Sequence, residues 1–345
     1  MTKQKQRIMA IAIIGVLLCI VSLLALHLGT IMIPIGGGIQ SILNGMGIPV
    51  HFTEPITAEQ EAVLWFIRMP RLIIGLLVGG ALALAGAVMQ GVFSNPLADP
   101  GIMGVSAGAS LGAVIAIALG FTSLGMFYMP TFAFVGAFVS VGITILLTLR
   151  NNKLDTTTLL LAGVAVSMLL GAFTSGILTM INEYRLREFL FWMVGGLDFR
   201  RWDHVLLAVG PIMTGSVILM MLGRHLNVLV LGDTEARALG VPVMVYRMLF
   251  LFLSSVITAT AVCVSGSIGF VGLVVPHIVR LLVGPDHRIL LPMAAIGGAL
   301  FLVFCDTLGR VVAQPVEIRV GIMTALLGAP YFLYLLHRLR SKGGA

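Results

Sequence analysis

The stretch LIIGLLVGGALALAGAVMQGVFSNPLA, residues 72–98, contains no charged side chain. About 20 apolar residues are enough to cross the hydrocarbon core of a bilayer as a helix, and this run exceeds that. Residues 101–149 and 248–279 are also free of Asp, Glu, Lys and Arg. Charged residues make up 10% of the 345-residue chain and hydrophobic ones 59%, with a mean hydropathy of +1.08. Soluble domains carry about 25% charged residues, so the chain reads as an integral membrane protein. The short alternating polar and apolar segments of a β-barrel are absent. The class is therefore all-α and polytopic.

Working outward from that stretch, apolar windows and their breakers predict ten spans. They lie near 8–29, 72–91, 102–120, 127–149, 157–181, 205–223, 244–266, 268–283, 289–309 and 318–336. The turn between the seventh and eighth must come from SGSIGFVG. The first segment follows Lys3, Lys5 and Arg7, as a signal peptide would, but it is long for one and lacks an Ala-x-Ala exit, so a retained span is expected. Ten spans place both termini on one side. With the termini inside, Arg68, Arg71, Arg185, Arg187, Arg200, Arg201, Arg310 and Arg319 face outward and the remaining thirteen of the 21 Lys and Arg face inward. That bias has the sign of the positive-inside rule. The 41 glycines fall largely within the spans, where small residues let helices approach closely in lipid. One compact helical membrane domain over 1–345 is expected.

The segment LGDTEARALGVP, 231–242, interrupts this apolar chain between the sixth and seventh spans. Asp233 suits an N-cap and Glu235 the positive end of a helix dipole. Arg237 stands four residues after Asp233, Gly240 can take a left-handed C′ position, and Pro242 forbids continuation. A stiff helix over Thr234–Leu239 follows, with a small apolar face from Ala236, Ala238 and Leu239. Two readings fit it: a solvated helical loop, or a knob that carries force from a cytoplasmic partner.

No Gly-Lys dipeptide occurs, so the chain holds no GxxxxGK[ST] phosphate loop. Energy must come from another polypeptide or from an ion gradient. An ion-coupled secondary transporter needs ionisable groups within the membrane. Asp306 is the one convincing candidate, and Arg310, a turn further on, can neutralise it. The three cysteines, 19, 263 and 305, form neither a disulfide framework nor a ligand spacing and read as small packing residues. His277, alone beside Pro276, and the 19 dispersed methionines read as structural, not as metal ligands.

Five stretches taken in order resemble the FecCD family, membrane subunits of ABC importers for iron-siderophores, haem and vitamin B12. They are RMPRLIIGLLVGGALALAGAVMQGVFSNPLADPGIMGVSAGASLGA (68–113), TLLLAGVAVS (158–167), LNVLVLGDTEARALGVPV (226–243), GSIGFVGLVVPHIVRLLVGPDHRILLP (266–292) and DTLGRVVAQPVEIRVGIMTALLGAPYFLYLL (306–336). The resemblance implies the ten-helix type II importer permease fold and a second permease subunit, identical or a paralogue. It also implies two cytoplasmic ATPases carrying ATP and Mg, an extracytoplasmic binding protein, and residence in a bacterial or archaeal cytoplasmic membrane. No cofactor, catalytic residue or nucleic-acid contact is implied for this chain. The segment near 232–240 (Gly232, Asp233, Glu235, Ala236, Arg237, Leu239 and Gly240) corresponds to the helix that couples to the ATPase. Arg68, Arg71 and Arg310 match positions that meet carboxylates of the binding protein, although headgroup anchoring also accounts for outer arginines. Asn95 and Leu97 match one inner gate, and Thr156 and Thr157 the other; Thr156 after Asp155 equally suits an ordinary helix start. The resemblance ranks siderophore first as cargo, then haem and cobalamin. Gly-Gly in FWMVGGLDFRRW (191–202), where many siderophore importers have Gly-Ser, weighs against the first.

Overall fold

A computed structural model describes residues 3–51, 56–150, 153–154 and 156–343. In chain order the helices are α1 (Lys3–His27), α2 (Ile35–Gly45), α3 (Ala58–Val63), α4 (Met69–Val92), α5 (Val105–Ala118), α6 (Tyr128–Thr148), α7 (Thr156–Leu178) and α8 (Glu183–Val194). Then come α9 (Trp202–Met221), α10 (Gly223–Leu229), α11 (Asp233–Ala238), α12 (Val243–Ser265), α13 (Val271–Val283), α14 (His287–Val312) and α15 (Val320–Gly343). A π turn, Leu64–Arg68, joins α3 to α4 without a break. Between α6 and α7 lies a two-residue antiparallel ladder, Leu149–Arg150 against Lys153–Leu154.

Among the described residues, seven helical segments are long and apolar enough to cross a membrane, and α5, α13 and α15 supply three shorter apolar helices. Each of the ten expected spans therefore falls on a helix. Among the described residues four helices were not anticipated. Glycine-rich α2 and short α3 and α10 lack a span's length, and α8 carries too many charges for an apolar window. The expected turn between the seventh and eighth spans is present: Gly266 and Phe270 both have positive φ there, +73° and +67°.

At the centre stands α4, packed by α14, α12, α13 and α9. Of its 35-residue helical segment, the apolar window is 78% buried, against 11% for α1, which lies on the outside against α14. Close backbone approach explains how α4 is enclosed. A β-carbon at Gly79 would overlap the Gly298 carbonyl of α14, and one at Gly86 the Gly272 carbonyl of α13. Hydrogen at these sites lets the backbones meet, and van der Waals contact replaces the hydrophobic drive that lipid cannot supply. A second group, α5, α6 and α7, packs by the same means, with Gly108 on the Gly136 carbonyl.

Candidate functional site

The candidate functional residues gather at the two ends of the bundle. At one end, α10 and α11 form a short helical pair between α9 and α12. Gly232, with φ of +116°, holds the N-cap position of α11, and its carbonyl accepts from the Ala236 amide at 3.0 Å. Asp233 is thus the first residue of the helix and not its cap, a correction of one position. Its carboxylate is drawn instead to Arg247 in the first turns of α12, at 2.6 and 3.3 Å, while Arg237 stands 3.7 Å away. The other terminus matches expectation. Gly240 has φ of +79°, its amide donates to the Arg237 carbonyl at 2.9 Å, and the Val241 amide donates to Ala236 at 3.0 Å. This doubled closure is a Schellman motif.

The expected apolar face is divided. Ala236 is fully buried beneath the helix, whereas Leu239 is 63% exposed and projects with Glu235 and Arg237. A second tie holds the pair from behind. Asn227 on α10 donates from Nδ2 to Asp286 at 2.7 Å, and its Oδ1 accepts from the amide and Nδ1 of His287 at 2.9 and 2.7 Å. Asp286 caps α14 and meets Arg288 at 2.7 Å. The hydrogen bonds from Arg288, followed by that from Asn227, hold its carboxyl well below the usual carboxylate range. Sequence reasoning missed Asn227, because its partners lie about 60 residues away; the Asp-His-Arg run opening α14 was the only local sign.

Beside this mount, a cavity of 540 Å³ is lined by Gln90, Asn95, Pro96, Asn227, Arg280 and His287, among others. It brings the Asn95 loop next to the α10 tie. Asn95 shapes that loop, its Oδ1 accepting from the Leu97 amide at 2.9 Å and its carbonyl from Ala98 at 3.1 Å. Thr156 and Thr157 open α7 at the same end, with Thr157 exposed. Asp155, which precedes that helix start, lies outside the described residues. The apolar window of α7 is only 22% buried, leaving Leu161, Met168 and Phe173 on an open face.

At the opposite end, Arg68, Arg71 and Arg310 do come together, but not at the surface. They are 5%, 9% and 6% exposed. Arg71 grips Asp306 with Nε and Nη2 at 2.9–3.1 Å and reaches Glu317 with Nη1 at 2.8 Å. Arg310 stands 3.3 Å from the same Asp306 and donates to the Ala25 and Leu28 carbonyls at 3.0 and 3.2 Å. Arg68 donates to the carbonyls of Leu26, His27 and Ile31. The expectation of outward guanidinium groups is thereby corrected. The last carbonyls of α1 have no partner within their own helix, and Arg68 and Arg310 supply the donors. Asp306, inside the bundle, requires the cations for neutralisation. It has none of the freedom that an ion-coupling carboxylate needs. Nearby, Arg187 pairs with Glu183 at 2.5 Å, Arg201 with Asp203 at 3.6 Å and Arg319 with Asp198 at 2.9 Å, whereas Arg185 donates to the Ala118 carbonyl at 2.9 Å.

The sequence model of the FecCD transport family matches residues 17–338. The chain is 47% identical over 289 residues to the cobalamin import system permease protein BtuC of Halobacterium salinarum, covering 84% of this chain and 76% of that one. It is 44% identical over 295 residues to the hemin transport system permease protein HmuU of Yersinia pestis, covering 83% and 87%. Among solved structures it is similar to a metal-chelate type ABC transporter in an inward-facing conformation. The TM-score there is 0.83 at 33% identity, covering 94% of this chain and 97% of the other.

Proposed function

Because this chain belongs to the FecCD transport family and is a multi-pass permease subunit of an ABC importer, we propose that α11 is its point of engagement with a separate, ATP- and Mg-binding subunit. The observation that carries the reading is the double mounting of α10–α11. Asp233 fastens α11 to α12, Asn227 fastens α10 to α14, and Glu235, Arg237 and Leu239 are left projecting. Two spans are thus held to one exposed knob, so a push on the knob moves both. Two copies of the permease face each other across the open side of α7, with Asn95, Leu97, Thr156 and Thr157 around the inner mouth. The end bearing α11 and both termini is cytoplasmic, in a bacterial or archaeal cell membrane, and an extracytoplasmic binding protein delivers cargo at the other. Arg68, Arg71 and Arg310 serve that docking from beneath the surface, by fixing the end of α1 and positioning Glu317.

The cargo is a metal chelate. The names of the two relatives favour a tetrapyrrole, cobalamin or haem, over the siderophore ranked first from sequence. The test reconstitutes the permease with its ATPase and binding protein in vesicles and measures uptake of cobalamin, hemin and a ferric siderophore. Glu235→Ala with Arg237→Ala should lower transport per ATP hydrolysed while the subunit remains folded. Unchanged coupling would refute the role of α11, and ATP-independent uptake driven by an ion gradient would refute the mechanism. An impermeant maleimide should label Ala58→Cys from outside and Asp233→Cys only from inside.

A further inference from the structure

On the flank of the bundle, α1 does not close fully onto α13 and α14. The gap is a groove of 390 Å³, lined by Ile14, Leu17 and Val21 of α1, Leu282 of α13, and Phe301 and Phe304 of α14, among other apolar residues. One cation stands at its end. Arg7 lies seven, ten and fourteen residues before Ile14, Leu17 and Val21, a spacing that sets all four on one face of α1. Its guanidinium reaches the end of α13: a β-carbon on Gly284 would sit 2.7 Å from an Arg7 terminal nitrogen. Among the described residues Arg7 is in no ion pair. The carboxylate of the adjoining turn, Asp286, is already taken by Arg288 and Asn227.

At a rise of about 1.5 Å per residue, Ile14 lies about 10 Å and Val21 about 21 Å from Arg7 along the helix. One leaflet of hydrocarbon is about 15 Å deep. A cation at headgroup level with an apolar trough running inward from it matches an anionic headgroup and its acyl chain. We propose that the α1–α13–α14 groove binds one anionic phospholipid of the leaflet on the α11 side, Arg7 holding the phosphate region and the trough an acyl chain. Bound lipid would complete the packing of α1, whose apolar window is only 11% buried.

Native mass spectrometry of the purified permease complex, equilibrated with mixed micelles of phosphatidylglycerol or phosphatidylcholine, counts retained lipid and tests this. Phosphatidylglycerol should be retained about fivefold better, the effect of one basic residue near a headgroup. Arg7→Glu should abolish that preference and Arg7→Lys keep it. Leu17→Trp, which fills the trough, should reduce retention of both lipids. Inorganic phosphate should not displace the lipid. Equal retention of the two lipids by the wild-type complex overturns the proposal, as does an Arg7→Glu complex that keeps the preference. Displacement by phosphate also overturns it, because the site would then hold a free anion. If Arg7→Glu is not recovered folded, Arg7→Gln makes the same comparison.

Discussion

Replacing Asp233 by Asn keeps the shape of the side chain and removes the charge that ties α11 to Arg247. The two groups meet at 2.6 Å, with side chains 42% and 10% exposed. Between charge centres about 4 Å apart, attraction is about 4 kcal/mol at an effective dielectric of 20 and about 1 kcal/mol in water. The half-open carboxylate moves the value toward the lower limit, and charge-assisted hydrogen bonds contribute about 1.5–3 kcal/mol. A coupling of about 2 kcal/mol follows, or about 30-fold in a local opening equilibrium. Amide exchange at Leu239 and Val241, which donate to Glu235 and Ala236, reads that equilibrium directly. Asp233→Asn should speed both by about 30-fold, Arg247→Gln similarly, and the pair together by little more than either alone. Purely additive effects, or less than a threefold change in the single variants, would refute the claim that this ion pair mounts the helix.

Asp306→Asn leaves Arg71 and Arg310 buried without their shared anion and should cost about 3–5 kcal/mol, seen as a lower unfolding temperature in detergent; an unchanged temperature would refute the neutralising role. Gly79→Ala drives a methyl group into the Gly298 carbonyl and should destabilise by about 1–3 kcal/mol or more, whereas the same change at Gly142, where a β-carbon meets nothing within 4 Å, should be neutral or nearly so. Asp286 has its pKa depressed in the fold, so its contribution is complete above the unfolded value of about 3.9 and is lost as pH falls through the lower folded value. Stability of the α10–α14 tie should therefore be flat from pH 8 to 5 with respect to this group, and a loss centred near pH 6 that disappears in Asp286→Asn would contradict the assignment.

The spans were legible because lipid imposes a simple rule: a segment that crosses must be long, apolar and helical, and residues 72–98 satisfy it visibly. The end of α11 was legible too, since Gly240 and Pro242 act locally. Its start was displaced by one residue because the partner of Asp233 is Arg247, fourteen positions on and one helix away. The arginines at the far end were read onto the correct end of the bundle but at the wrong depth. Nothing near residues 68 or 310 announces that the carbonyls closing α1 will arrive against them. The mount through Asn227 and the cavity beside it depend on the same kind of meeting between distant segments.

The glycine contacts along α4 bear on where a large chelate can travel. Where Gly79 meets Gly298 and Gly86 meets Gly272, main chain rests on main chain, and no side chain stands between that could swing aside. Such a junction has no partly open form: it is shut, or the helices have separated. The interior around α4 therefore behaves as a solid block, and a bulky passenger must travel along its outer wall. That wall becomes a conduit only when another wall faces it, which is the part the proposed second copy would play across the open side of α7.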